Sequence, residues 1–464
     1  MSVILQIGNS LSEIIGVVPM EIEKEIAKML SYVEKSDGYR RHKFKERFGY
    51  YPPEKRFYLF NHNKFPTGMA INVIEYLKRI GLEFKITDSR VKPVPYIDVN
   101  WTCEYNLDSY QVEAVEALKK AGRGRLDAAT GSGKGVIYMK LVHELGVRAL
   151  IVCSTREALY DMYLEAQNCF DRGYGRIGDG YKTHGEVLTC ITKASFCKLP
   201  KETLNQYDCL IIDEHHGSAG KELYKQILVM DCYYKFGGSG SQYRNDGKDI
   251  LLQATTGRVL YSIKTKDLQK RGRLTESKIT FIEPDIKTIG SKQFSDFHEQ
   301  YKFCVVNNDE RNLIARKIIK KHMGQQTLVL CKSIEHGGIL VDLLKDLVPN
   351  VIWLDGSTKK KVREQVKEEF KRGERSVILS SVIFDESVNL PNLQVVLVLS
   401  AGTSLTKTVQ RLGRALRKFE GKDKSYVYYM YDSFNDKLLK QSVEIFKHLK
   451  KEGHEITITK EADL

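Results

Sequence analysis

Three stretches with different hydrophobic patterning divide the chain. Up to about residue 100, alternating runs at Val3-Ile-Leu-Gln-Ile7 and Glu83-Phe-Lys-Ile-Thr87 flank two segments with helical spacing. One helix carries Ile22, Ile26, Leu30 and Val33 along a face, and the other runs from Thr67 to Ile80 and stops at Gly81. This pattern predicts a small α/β module. From Leu107 onward, apolar runs alternate with amphipathic segments. Residues 147–153, 186–191 and 209–212 are near-continuous apolar runs, as strands covered by helices on both faces require, and strands at 259–263 and 278–282 follow. The polar, Gly-rich stretch 237–248 is predicted as a loop, and residues near 284–300, which lack periodicity, as a hinge. A second alternating block has strands at 327–331, 351–354, 376–380, 394–399 and 426–431, with one helix ending at Leu347 and another over 362–371. The expected fold is α/β: an N-terminal domain over 1–100, parallel-sheet domains over 101–285 and 301–464, and a hinge over 286–300.

At 464 residues the chain is too long for one hydrophobic core, which agrees with this division. The formal charge of +14 and a pI near 9.1 point to a polyanionic partner, nucleic acid foremost, or to charge that only maintains solubility. Nine cysteines occur without a C-x-x-C pair and without histidines at zinc spacing, so buried free thiols in a reducing compartment are expected. No apolar run reaches transmembrane length and the N-terminus lacks signal-peptide features, so the expectation is a soluble, cytoplasmic protein without a membrane partner.

Candidate chemistry begins at Asp127-Ala-Ala-Thr-Gly-Ser-Gly-Lys-Gly135. Gly131 and Gly133 let backbone N–H groups turn inward around phosphate oxygens, the helix N-terminus adds partial positive charge, and Lys134 can reach the β- and γ-phosphates. Thr130, Ser132 and Gly135 complete the loop. Gly135 stands where a Mg²⁺-binding hydroxyl is usual. Downstream, the apolar run Leu210-Ile-Ile ends in Asp213-Glu214-His-His216. Asp213 is placed to hold Mg²⁺, and Glu214 to polarise the water that attacks the γ-phosphate. In Gln410-Arg-Leu-Gly-Arg-Ala-Leu-Arg-Lys418, Arg414 and Arg417 fall about one helical turn apart and could clamp charge on a transferring phosphoryl group. Between residues 35 and 56, Arg40, Arg41, Lys43 and Lys45 alternate with aromatics. That stretch suits phosphate contact with base stacking, or is a solvated loop whose aromatics are buried.

In this order the motifs resemble those of the superfamily 2 helicases and translocases over residues 105–458. Leu107-Asp-Ser-Tyr-Gln111 is similar to the adenine-reading Q motif, which implies nucleotide contact by Tyr110 and Gln111. Asp108 stands where relatives often have Arg. Cys153-Ser-Thr-Arg156 and Ile191-Thr-Lys-Ala-Ser195 resemble segments that grip the nucleic-acid backbone, implying roles for Thr155, Arg156 and Thr192. Lys332 in 328–333 and Ser381 in 381–391 take corresponding places in the second block, where Ser387 and Asn389 replace the usual Gly and Asp. His216, Ser239, Ser241 and Gln410 fall at positions that couple hydrolysis to nucleic-acid grip. The N-terminal module, through Phe65-Pro-Thr-Gly68 and Asp88-Ser-Arg90, resembles the UvsW-like branch-migration helicases of phages and their XPB-like relatives. The resemblance implies two RecA-like domains with ATP and Mg²⁺ between them. It further implies a monomer acting on branched or forked DNA, in the host cytoplasm if phage-encoded. An RNA helicase of this fold and a catalytically weak nucleic-acid-binding protein are the rival readings.

Overall fold

The computed structural model describes residues 3–32, 55–56, 63–215, 220–240, 249–381, 390, 392–401, 424–451 and 453–464. Arg40, Arg41, Lys43, Lys45, His216, Ser241, Ser387, Asn389, Gln410, Arg414 and Arg417 lie outside these described residues. Two compact units are present: Met1–Ala128 with Gly133–Ile263, and Ala129–Ser132 with Lys264–Leu464.

The N-terminal module contains β1 (Val3–Ile7), β2 (Leu11–Ile15), the short antiparallel pair β3 (Ser31–Tyr32) and β4 (Lys55–Arg56), β5 (Lys64–Pro66) and β6 (Phe84–Asp88). Its main sheet has the order β5-β2-β1-β6, with β1 parallel to β6 and the other pairs antiparallel. Helices Met20–Met29 and Ala70–Arg79 supply buried Ile26, Val73 and Leu77 to its core. β2 escapes a hydrophobic pattern because Ser12 on it is buried and bonds to Thr67, Oγ to Oγ1, at 3.0 Å.

This module shares its core with the first large sheet. Ala254 belongs to the same apolar cluster as Leu5, Phe65 and Leu77. At the β1–β2 turn, the buried Lys235 Nζ donates to Ser10 Oγ (2.8 Å) and to the Ile227 carbonyl (3.0 Å), and Ser10 Oγ donates to the Met230 carbonyl (3.2 Å). Burial pushes the Lys235 ammonium down to about 8, since neutral oxygens replace only part of its hydration. Gly68 is obligatory at this contact, because a Cβ there would lie 2.0 Å from the Gln253 carbonyl oxygen.

The first large sheet comprises β7 (Arg123–Ala128), β8 (Ala149–Cys153), β9 (Tyr174–Gly178), β10 (Tyr181–Thr183), β11 (Leu188–Thr192), β12 (Cys209–Asp213), β13 (Tyr234–Ser239) and β14 (Val259–Ile263). Its order is β10-β9-β11-β8-β12-β13-β7-β14, parallel except for the β9–β10 hairpin. All five residues of β8 are buried, as a strand packed on both faces requires. β13 overlaps the stretch expected to be a loop. Gly237 and Gly238 are there for close approach: added Cβ atoms would lie 2.5 Å from the His215 ring and 1.7 Å from Tyr138 Oη.

The second large sheet comprises β15 (Glu276–Glu283), β16 (Thr327–Cys331), β17 (Ile352–Leu354), β18 (Val377–Ser381), β19 (Val395–Val398), β20 (Lys424–Met430) and β21 (Ile456–Lys460). It is wholly parallel, in the order β17-β18-β16-β19-β20-β15-β21. Two expectations are corrected here. β15 was assigned to the first domain, but it pairs with β20 and β21, and Phe281 stacks on Tyr429 at 5.1 Å, so the division falls at Ile263/Lys264 rather than at 285. Residues 286–300 are not a hinge. Ile286, Ile289 and Phe294 pack against Phe434 and Leu438, Ile289 N donates to the Phe434 carbonyl at 2.7 Å, and buried Gln300 bonds to Ser291 Oγ at 2.7 Å. Polar groups bonded to one another carry no hydrophobic period, which is why the segment looked loose.

Arg311 and Asp432, almost fully buried, form a two-point pair in this unit at 2.9 and 3.1 Å. Neighbouring His336 is fully buried, its Nε2 bonded to Asn312 Oδ1 at 2.8 Å. Burial first, and the Arg311 charge second, push His336 down to about 3; burial lowers His454 to about 4. Unfolded histidine titrates near ~6.5, so below that pH the unfolded chain binds protons that the folded unit refuses. Stability should therefore fall as pH drops from 6.5 toward 4, by up to ~1.4 kcal/mol per pH unit for each group. Thermal unfolding between pH 7 and 5 should show a steeper loss for the wild type than for a His336→Leu, His454→Leu double variant. Equal slopes would contradict this account.

The nine cysteines are free thiols, and seven of them are buried. Among the described residues, no helix is long and apolar enough to cross a membrane.

Candidate functional site

In the first unit, β12, β13 and β7 lie side by side, and the register pairs Asp213 with Gly238 and Ser239 with Asp127. The loop after β7, the acids closing β12 and the serine closing β13 thus share the carboxyl end of one parallel sheet, where such folds bind ligands. The loop turns through two left-handed glycines, Gly131 (φ 89°) and Gly133 (φ 74°), and Lys134 opens the helix Lys134–Leu145. Lys134 Nζ lies 3.3 Å from the Ala128 carbonyl oxygen and 3.6 Å from Glu214 Oε1. Thr130 and Lys134 are half-buried, Gly131 is exposed, and Ser132 is buried.

Glu214 has a left-handed backbone (φ 48°), a conformation that costs a non-glycine residue on the order of 1–3 kcal/mol and that concentrates at functional sites. Its other carboxylate oxygen, Oε2, accepts from Ser239 Oγ at 3.3 Å. Tyr138 Oη donates to Asp213 Oδ1 at 3.4 Å. Burial and the adjacent Glu214 charge push the Asp213 carboxyl up to about 6, against the lowering effect of Lys134. A carboxylate this short of counter-charge is a ready seat for a cation. Among the described residues no group of three His, Cys, Asp or Glu side chains could hold a metal.

Sequence reasoning missed two contributors. Tyr138 orients Asp213 and occupies the space left by Gly238. His215 is fully buried; its Nε2 lies 3.0 Å from Thr255 Oγ1 and 3.3 Å from Thr256 Oγ1, tying the end of β12 to the helix Asp249–Thr256. The paired glycines at 237 and 238 were the available signal, because glycine inside a strand marks close approach.

The Q-like segment, expected to carry nucleotide contacts at Tyr110 and Gln111, opens the helix Ser109–Ala121. Tyr110 is 2% exposed, carried inward with Ala114, Val115 and Leu118 on the apolar face of the helix Ser109–Ala121. Gln111 Oε1 accepts from Asp108 N at 2.9 Å, and its Nε2 lies 2.5 Å from where a Gly133 Cβ would be, so Gln111 buttresses the glycine loop. Gly135 faces Glu165, whose Cγ and Oε2 lie 3.3 and 3.6 Å from an added Cβ.

Of the backbone-gripping candidates, Thr155 and Thr192 both cap helices at the carboxyl end of this sheet, accepting from Ala158 N and Ser195 N. Arg156 is exposed and pairs with Asp179 at 3.1 Å. In the second unit, Lys332 is exposed, its Nζ 5.2 Å from the Tyr301 ring centre. Ser381 closes β18 and is 5% exposed.

Comparison with known proteins adds family and fold. Residues 104–240 match the family described as type III restriction enzyme, res subunit, and residues 310–419 match the helicase conserved C-terminal domain. The chain is 25% identical over 383 residues to a DNA 3'-5' translocase, XPB2, of Sulfurisphaera tokodaii, covering 74% of this chain and 84% of that protein. It is also 25% identical over 433 residues to the ATP-dependent DNA helicase UvsW of Enterobacteria phage T4, covering 86% and 85%. Among solved structures, a fragment assigned as the HsdR subunit of a type I restriction enzyme from Vibrio vulnificus shares the fold with a TM-score of 0.59 at 16% identity, covering 92% of this chain and 84% of that one.

Proposed function

We propose that this chain, which belongs to superfamily 2 of the helicases and translocases, is an ATP-dependent DNA helicase or translocase that remodels branched DNA. The observation that carries the reading is the meeting of the glycine loop, Lys134, Asp213 and a strained Glu214 at one end of the first sheet. Two similar proteins named for action on DNA, each matched over more than four-fifths of its length, support DNA over RNA.

In this mechanism, backbone N–H groups of residues 130–135 and Lys134 hold the phosphates of ATP. Asp213 would hold Mg²⁺, which neutralises charge on the β- and γ-phosphate oxygens when bound. Glu214 takes the proton of the attacking water, and Ser239 and Lys134 keep its carboxylate in place. Arg414 and Arg417 supply positive charge for the transition state. Ser239, bonded to Glu214, acts with His216, Ser241 and Gln410 to carry the change in nucleotide state toward the strand ends where Thr155, Arg156 and Thr192 sit. The basic stretch containing Arg40, Arg41, Lys43 and Lys45 gives the module its DNA contact. The protein acts as a monomer in the cytoplasm, that of the host if it is phage-encoded.

A synthetic four-way junction and a matched fork, incubated with the protein and ATP, should be converted to their branch-migrated products. No conversion with ATP, together with efficient unwinding of an RNA duplex, would favour the RNA-helicase reading.

Gly135 leads to a further expectation. Without a hydroxyl there, Mg²⁺ has one fewer protein ligand, so Gly135→Thr should lower the Mg²⁺ needed for half-maximal hydrolysis by about fivefold, the scale of one polar contact. The threonine Cβ requires Glu165 to shift by a few tenths of an ångström, which its flexible chain allows. Superimposable Mg²⁺ titrations of the two proteins would show that the missing hydroxyl is of no consequence.

A further inference from the structure

We infer that the β9–β10 hairpin, together with Tyr160, is a base-stacking platform for an unpaired nucleic-acid strand; this rests on the reading of the chain as a nucleic-acid translocase. The hairpin turns through Asp179 (φ 51°) and Gly180 (φ 89°), the pair of left-handed residues that a tight, twisted hairpin needs, and a Cβ on Gly180 would meet nothing within 4 Å. Its tip lies beside the backbone-gripping candidates. Arg156 pairs with Asp179 at 3.1 Å, and Gly178 sits so close to Thr192 that a Cβ would come within 2.6 Å of its methyl carbon.

The rings at this edge are arranged for more than core packing. The Arg176 guanidinium lies 3.3 Å from the centre of the Tyr181 ring and 4.7 Å from that of Tyr163. Tyr181 nevertheless remains 46% exposed and Tyr160 55% exposed. Arg176 holds one face of Tyr181 in a fixed orientation, so stacking on the exposed part of that ring loses little side-chain freedom.

Several observations select the occupant. Exposed tyrosines fixed beside a guanidinium suit nucleobases, every one of which has a π-face, while the cation and Lys182 on the same hairpin suit the phosphates between them. The patch continues the line of Thr155, Arg156 and Thr192 rather than standing apart from it. A single strand fits better than a duplex, whose bases already stack on one another and offer only their edges.

The test compares wild type, Tyr181→Ala and Tyr181→Phe for binding to a fluorescent single-stranded oligonucleotide and to a duplex of equal length. Tyr181→Ala should weaken single-strand binding by about 5- to 150-fold, the range for loss of one stacked base, with duplex binding within about twofold of wild type. Tyr181→Phe, which keeps the ring, should bind both as the wild type does. A 2-aminopurine base in the oligonucleotide should be quenched by wild type and by Tyr181→Phe but not by Tyr181→Ala. The platform is refuted if the alanine variant binds the single strand as tightly as wild type. It is also refuted if single-strand and duplex binding weaken equally, or if the phenylalanine variant is as weak as the alanine one. A wild-type protein that binds no nucleic acid would instead overturn the translocase reading beneath it.

Discussion

Glu214→Gln is expected to bind ATP as the wild type does and to hydrolyse it about 10²-fold or more slowly. Glutamine keeps the volume of the side chain and one acceptor oxygen, so it can still receive the Ser239 hydroxyl now 3.3 Å from Oε2. It cannot accept a proton from water, and it removes the charge facing Lys134 at 3.6 Å. The left-handed backbone at 214 is set by the turn out of β12 and should persist in the variant, leaving the missing base as the main difference. Single-turnover hydrolysis, measured beside nucleotide binding, separates the two effects. A variant within about twofold of wild type would place the base elsewhere.

Arg417→Ala, and separately Arg414→Ala, should slow hydrolysis by about 10³-fold or more while leaving ATP affinity within about tenfold, because the arginine charge is needed mainly in the transition state. Both arginines fall outside the described residues; three positions apart in sequence, they would face the same way on a helix. Loss of DNA affinity with DNA-saturated hydrolysis intact would assign the arginine to a nucleic-acid surface instead.

What could be read from the sequence followed the strength of the local signal. β8 is a continuous apolar run of five residues, and β12 and β16 each hold a run of four, as strands buried on both faces require. The glycine loop and the Asp213-Glu214 pair were legible because phosphate binding and base catalysis need those residue types at fixed offsets. β2 and β13 were hidden because buried Ser12 and the glycines at 237 and 238 replace apolar side chains at close contacts. Residues 286–300 read as a hinge because hydrogen bonds among Ser291, Gln300 and Asn435 do the packing that periodicity would otherwise have announced. The burial of Tyr110 was not legible because a motif fixes residue identity without fixing which face of its helix turns inward. His215 and Tyr138 act through neighbours distant in sequence, Thr255 and Asp213, and such contacts appear only once the strands are in register.

The central claim is that one site on the first sheet hydrolyses ATP in the service of movement on DNA. Its most direct test is the steady-state rate of ATP hydrolysis as forked DNA is titrated, with matched RNA in parallel and Lys134→Ala as the control. The account predicts a rate that rises and saturates with forked DNA, responds less to RNA, and is abolished by Lys134→Ala. A rate indifferent to DNA, or one that survives loss of Lys134, would contradict it.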